Sequence, residues 1–174
     1  MDKVFTFSWY VLHTKSRFEN VVNDGLSKKG IEAFLPKISV KSKRKDRNLM
    51  LRMPLFPGYI FVKTDLNYLK HIEILKTAGV VRFIGNKDGP ASVPDVDIDS
   101  LKIVTKVGSN ILTGFRFKKG DRVIVTKGLF TGVEGIFGRY EGKDRVVVFI
   151  EAIGQYAGAH VDEDDIEKLP EILT

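Results

Sequence analysis

The chain of 174 residues contains no cysteine, so disulfide staples, thiolate metal sites and cysteine nucleophiles are all excluded. Its three histidines, His13, His71 and His160, stand apart, with no His-Glu-x-x-His pattern and no partner at metal-ligand spacing. A phosphate loop is missing too. Gly142-Lys143 lacks both the earlier glycine and the following Ser/Thr, because Phe137 and Asp144 occupy those positions. No apolar run approaches the length of a membrane span, and the opening Met1-Asp2-Lys3-Val4-Phe5-Thr6-Phe7-Ser8-Trp9 is too short and mixed for a signal peptide. Asp162-Glu163-Asp164-Asp165 reads as an acidic turn between strands and not as a cation site. These absences point away from an enzyme, a cofactor or a metal, and toward a soluble, cytoplasmic protein that works by binding, without a membrane partner.

With 43% hydrophobic residues the chain can bury a core, and its length fits two small domains. The net charge of +6 is unevenly shared: residues 1–107 carry +8 and residues 108–174 carry −2. A polyanion should therefore favour the N-terminal half.

Ser8 to His13 alternates as a strand, and Ser16-Arg17-Phe18-Glu19 has capping-box spacing. The spacing of Phe18, Val21, Val22 and Leu26 predicts a helix over 17–29, with Gly30 as its left-handed cap. Glu32 to Val40 reads as a second strand. After it, Lys41, Lys43, Arg44, Lys45 and Arg47 face a single acid, Asp46, in what looks like an exposed hairpin arm ending near Arg52. A third strand over 57–63, a helix over 66–76, a fourth strand over 80–84 and a weaker helix over 94–107 follow. The short connections favour an antiparallel α+β sandwich over a doubly wound sheet. Gly108-Ser109-Asn110 marks a hinge, with 108–116 as a linker. Beyond it, strands over 122–126, 134–140, 145–150, 158–161 and 166–169 predict a small barrel.

Two segments carry the most information. In Pro54-Leu55-Phe56-Pro57-Gly58-Tyr59-Ile60-Phe61-Val62 a Pro-Gly turn launches a strand. Ile60 and Val62 face a core, while Tyr59 and Phe61 face the other way. In Lys127-Gly128-Leu129-Phe130-Thr131-Gly132-Val133-Glu134-Gly135 three glycines bend the chain as a twisted barrel requires.

Trp9-Tyr10-Val11-Leu12 before a helix, the Leu-Phe-Pro-Gly-Tyr-Ile-Phe-Val strand, Gly79-Val80-Val81-Arg82-Phe83-Ile84-Gly85 and the Lys-Gly-Asp-Arg-Val to Gly-x-x-Gly module together resemble the NusG family of transcription elongation and antitermination factors. The specialised RfaH-like and LoaP-like paralogs are the most similar branch. The resemblance spans nearly the whole chain. It implies an N-terminal NGN domain (1–107), a linker (108–116) and a C-terminal KOW domain (117–174) with an SH3-like barrel. It also implies binding to the clamp of RNA polymerase through an apolar groove that receives the coiled-coil tip of the β′ subunit, and it places Phe56, Tyr59 and Phe61 in that groove. An exposed aromatic face on an otherwise one-sided sheet fits such a role, and core packing of Tyr59 or Phe61 is the alternative.

Lys15, Arg17, Lys41, Lys43, Arg44, Lys45, Arg47 and Arg52 are the candidate nucleic-acid contacts, whether to a displaced DNA strand or to a leader RNA hairpin. Where family members carry phenylalanine in an Ile-Phe-Gly loop for ribosomal protein S10 or Rho, this chain has Ala152-Ile153-Gly154, so Ile153 loses the ring. Phe130 is the other candidate KOW contact, either exposed or plugging the barrel end. The glycines and the β-branched Arg145–Ile150 run argue against an all-helical C-terminal domain. The reading is a monomeric, specialised elongation factor. A housekeeping NusG-like factor is the nearest alternative and a ribosomal RNA-binding protein a more distant one.

Overall fold

The structure, a computed structural model, describes residues 6–42, 49–108, 111–115, 120, 122–140, 143–161 and 165–168. The chain divides into two compact units, Met1–Asp95 and Val96–Thr174.

The N-terminal unit is built on an antiparallel sheet. Its strands are β1 (Ser8–Thr14), β2 (Ala33–Phe34), β5 (Tyr59–Thr64), β6 (Val80–Phe83) and β9 (Ser92–Val93), in the order β2-β5-β1-β6 with β9 also on β1. Helices α1 (Glu19–Lys28) and α2 (Tyr68–Leu75) join them. Leu12, Ile60 and Val62 from the sheet meet Val22, Leu26, Ile31 and Ile74 in one buried cluster, so the inward facing of Ile60 and Val62 holds. Of the apolar positions expected on α1, Val22 and Leu26 are buried while Phe18 and Val21 are exposed. Lys29 ties the two helix ends together, its Nζ donating to the Glu73 carbonyl and to Thr77 Oγ1, both at 2.9 Å.

The capping box does not form. Arg17 adopts φ 64°, Phe18 is the N-cap without a side-chain hydrogen bond, and the buried Glu19 turns its carboxylate elsewhere. Nor is 32–40 one strand. Pro36, with no N–H to donate, separates β2 from β3 (Lys37–Lys41). β3 pairs only with β4 (Met50–Pro54), in a two-stranded ribbon apart from the main sheet. A second small hairpin, β7 (Gly85–Asn86) with β8 (Gly89–Pro90), follows β6.

The C-terminal unit holds all of helix α3 (Asp95–Val107) except its first residue. Its sheet comprises β10 (Ile111–Phe115), β11 (Arg122–Val125), β12 (Glu134–Tyr140), β13 (Lys143–Ile150), β14 (Gln155–His160) and β15 (Ile166–Lys168). The order is β10-β14-β13-β12-β11-β15, antiparallel throughout. The five expected strands are present and no helical refolding is seen among the described residues of this sheet. The linker expectation gives way in part. Residues 111–115 pair with β14 along their whole length, from Ile111 with Ala159 to Phe115 with Gln155, a non-local pairing that the local turn signals do not report. The structural division at Asp95 thus falls before the expected boundary at 107. One contact that holds α3 in this unit is the Glu134 N–H donating to Ser100 Oγ at 3.0 Å, with Ser100 buried.

Two predictions follow from this packing. Gly79 has φ 92°, and a Cβ there would lie 2.9 Å from Phe18 Cβ and Cδ1 and 3.0 Å from Val22 Cγ2. Gly79→Ala should therefore cost about 2 kcal/mol, through backbone strain and overpacking together. The readout is the urea midpoint followed by fluorescence of Trp9, the single tryptophan, which is buried in this unit.

In the C-terminal unit, burial pushes the half-buried Asp97 carboxyl up from the usual 3.8 to about 6, with Arg122 opposing and Glu134 adding to the rise. A folded-state value above the unfolded one stabilises fully only below the unfolded value. That stability is lost as pH climbs from 3.8 through about 6. Full linkage would amount to about 3 kcal/mol, and partial exposure reduces it to roughly 1–2 kcal/mol. Asp97→Asn should accordingly stabilise this unit by that amount at pH 7.5 and by much less at pH 4, as read by hydrogen exchange of the β11 and β12 amides.

Candidate functional site

Because directly paired residues of an antiparallel ladder share a face, the β1–β5 register decides which side chains meet. Trp9 lies opposite Lys63, Val11 opposite Phe61 and His13 opposite Tyr59, all on the face away from α1 and α2. Lys63 Nζ stands 5.8 Å from the Trp9 ring centroid, and the His13 and Tyr59 rings are 5.6 Å apart. Phe61 stacks on Phe34 at 6.1 Å and meets Phe56 edge-on at 6.3 Å. The three residues read as a docking groove are therefore neighbours along one face, but differ in access. Phe56 and Phe61 are buried, at 1% and 0% exposure, and Tyr59 is half-buried.

The turn that launches β5 is fixed by hydrogen bonds. The Gly58 N–H donates to Glu19 Oε1 at 2.8 Å, the Gly58 carbonyl accepts from the Thr14 amide at 2.8 Å, and the Tyr59 amide donates to the Phe56 carbonyl at 3.1 Å. Gly58 supports this with φ 83°. Glu19, spaced from Ser16 as a cap, is thus the buried acceptor that positions the aromatic face. His13 was not among the sequence candidates, although its period-two spacing from Trp9 and Val11 places it on this face. Its Nδ1 is buried and has no hydrogen-bond partner among the described residues.

The cations fall into two groups. Lys15 and Arg17 are exposed in the turn between β1 and α1. Lys41 and Arg52 are exposed on the ribbon, where pairing of Ser39 with Arg52 puts Lys37, Ser39, Lys41 and Arg52 on one face. Lys43, Arg44, Lys45 and Arg47 lie outside the described residues. The opposite ribbon face carries Ile38, Val40, Leu51 and Met53, and Leu51 and Met53 are 40% and 47% exposed. Charge counting alone missed this apolar face, which the alternation of 38, 40, 51 and 53 encodes. In the C-terminal unit Phe130 is buried, Ile153 is half-buried, and the exposed apolar residue of the glycine loop is Leu129. Among the described residues no group of three or more His, Asp or Glu side chains is placed to hold a metal ion, and no helix is long and apolar enough to cross a membrane.

An antiparallel α/β sandwich of NGN type followed by a small β unit defines the class, and comparison with known proteins agrees. The family model described as transcription termination factor nusG matches residues 7–102, more than half of the chain. The chain belongs to the NusG family. Among curated proteins it is 28% identical over 182 residues to the transcription termination/antitermination protein NusG of Borreliella burgdorferi, covering 93% of this chain and 98% of that one. It is 24% identical over 174 residues to the protein of the same description from Bacillus subtilis, at 93% and 98% coverage. Among solved structures, one titled for domain interaction in Thermotoga maritima NusG matches with TM-score 0.55 and 20% identity, covering 95% of this chain and 98% of that one; this likeness concerns the fold.

Removing the Glu19 acceptor leaves the Gly58 amide unsatisfied in a partly buried turn. Glu19→Ala should cost about 1–3 kcal/mol and accelerate hydrogen exchange at Gly58, whereas Glu19→Gln, which keeps an acceptor oxygen, should cost less.

Proposed function

We propose that this protein is a transcription elongation factor that binds RNA polymerase through the aromatic face of its NGN-type unit and acts as an antiterminator on selected operons after meeting a nucleic-acid signal. The observation that carries the reading is the second sheet face. Trp9, His13, Tyr59 and Phe61 line it, and the Glu19–Gly58 hydrogen bond fixes the strand that presents Tyr59. Tyr59 and its neighbour His13 supply the contact with the clamp's coiled coil, and the buried Phe56 and Phe61 form the floor beneath them. Lys15, Arg17 and the ribbon cations supply phosphate contacts, to a leader RNA or to a displaced DNA strand. Leu129 and Ile153 are the apolar groups that the C-terminal unit offers to a partner such as ribosomal protein S10. Their lack of an exposed ring sets this chain apart from the expected phenylalanine.

A second reading is that of a general factor acting wherever polymerase transcribes; the curated relatives' description as transcription termination/antitermination proteins fits either role. Occupancy across the genome beside that of polymerase separates the two. Confinement to a few operons, starting just after a shared leader, supports the specialised role, and occupancy over most genes supports the general one.

On purified components, Tyr59→Ala should weaken polymerase binding at least about tenfold without unfolding the unit, since a half-buried aromatic contributes mainly when a partner covers it. Reversal of Lys15, Arg17 and Arg52 to Glu should flatten the log-log salt dependence of nucleic-acid binding by about two to three. Unchanged slope and affinity would remove the phosphate-contact role.

A further inference from the structure

A cleft of about 300 Å³ opens at the β6 edge of the sheet in the N-terminal unit. His71 and Leu75 of α2, Arg82 and Phe83 of the edge strand β6, and Asn86 and Pro90 of the β7–β8 hairpin line it. The His71 and Phe83 rings are stacked, 4.8 Å apart and 14° from parallel, and Phe83 is braced edge-on by Tyr10 at 6.3 Å. The lining is rich in donors. Arg82 is exposed and has no ion-pair partner among the described residues. Asn86 Oδ1 already accepts the Asp88 amide at 2.8 Å, which turns the carboxamide's two N–H groups to other use. No carboxylate lines the cleft, and on the hairpin beside it Lys87 and Asp88 balance one another.

Flat rings beside a guanidinium and a carboxamide N–H₂ match a planar group that bears acceptors. An unpaired base is the ligand of that chemistry, because single-stranded nucleic acid is read by stacking and by hydrogen bonds to exposed base edges. We propose that this cleft receives one unpaired nucleobase with two adjacent acceptors, as guanine presents with O6 and N7, and so supplies sequence preference to a factor whose other cations only hold phosphates. The inference rests on the nucleic-acid reading above. Its geometry fits the general division in which phosphate contacts position and base contacts specify. The shared chemistry is an unpaired base of either RNA or DNA.

The test is fluorescence anisotropy of the full chain with labelled single-stranded oligonucleotides of one base type, in RNA and DNA series, against Arg82→Met, Asn86→Leu and the Lys41→Glu/Arg52→Glu pair. The expected result is tighter wild-type binding to guanine-containing strands. Arg82→Met and Asn86→Leu should each erase that preference by about tenfold, while leaving adenine- and pyrimidine-strand binding within about twofold and circular dichroism unchanged. The ribbon pair should weaken every strand alike. Binding that depends on the ribbon pair but shows no base preference, or keeps its preference in both cleft variants, overturns the cleft and leaves the nucleic-acid reading standing. If wild-type protein binds no strand at low salt, that reading falls and the cleft with it. A preference confined to the RNA or the DNA series identifies the source of the base.

Discussion

The pairing of β1 with β5 is the constraint on which the N-terminal unit depends. Six consecutive residue pairs, from Ser8 with Thr64 to His13 with Tyr59, fix both faces of the sheet at once. One face gives Leu12, Ile60 and Val62 to the core under α1 and α2, and the other sets Trp9, Val11, His13, Tyr59 and Phe61 in a row. A slip of one residue would exchange the two sets, sending aromatic and basic groups into the helical core. The Gly58 turn, held by Glu19 and Thr14, stops that slip at its end of the ladder. The helical core and the aromatic face are therefore written into the same strands, alternately.

Much of this was legible in the sequence. Period-two alternation gave the facing of Ile60 and Val62, and β-branched runs gave the five C-terminal strands. What stayed illegible was non-local. Ser16 and Glu19 have the spacing of a cap, yet Glu19 is claimed by the Gly58 amide 39 residues away, a competition that no local pattern reports. Residues 111–115 read as a linker because they follow a glycine hinge; their partner residues on β14 lie forty or more positions further on. The same limit applies to the aromatic triplet. Alternation puts Tyr59 and Phe61 on one face and the family resemblance adds Phe56, but only packing separates the buried pair from half-buried Tyr59.

The two basic groups differ in how they are held. Lys15 and Arg17 occupy a turn anchored at both sides, since the Lys15 amide donates to the Gly79 carbonyl at 2.8 Å and the Phe18 amide closes back on the Lys15 carbonyl at 3.0 Å. Charges there keep a fixed bearing relative to the aromatic face. Lys41 and Arg52 ride on a ribbon outside the main sheet, and their bearing depends on how that ribbon leans. A contact that must be in register with a docked partner belongs in the first group, and one that follows a variable path belongs in the second.

That ribbon also has an evolutionary meaning. Its strands pair only with each other, and most of its side chains are open to solvent on both faces, so substitutions there fall among those that change stability by no more than about 0.5 kcal/mol. The β1–β5 ladder, with Val11, Leu12, Ile60, Phe61 and Val62 fully buried, tolerates far fewer. A lineage can thus rewrite the ribbon freely while the scaffold stays still, without first solving the folding problem again.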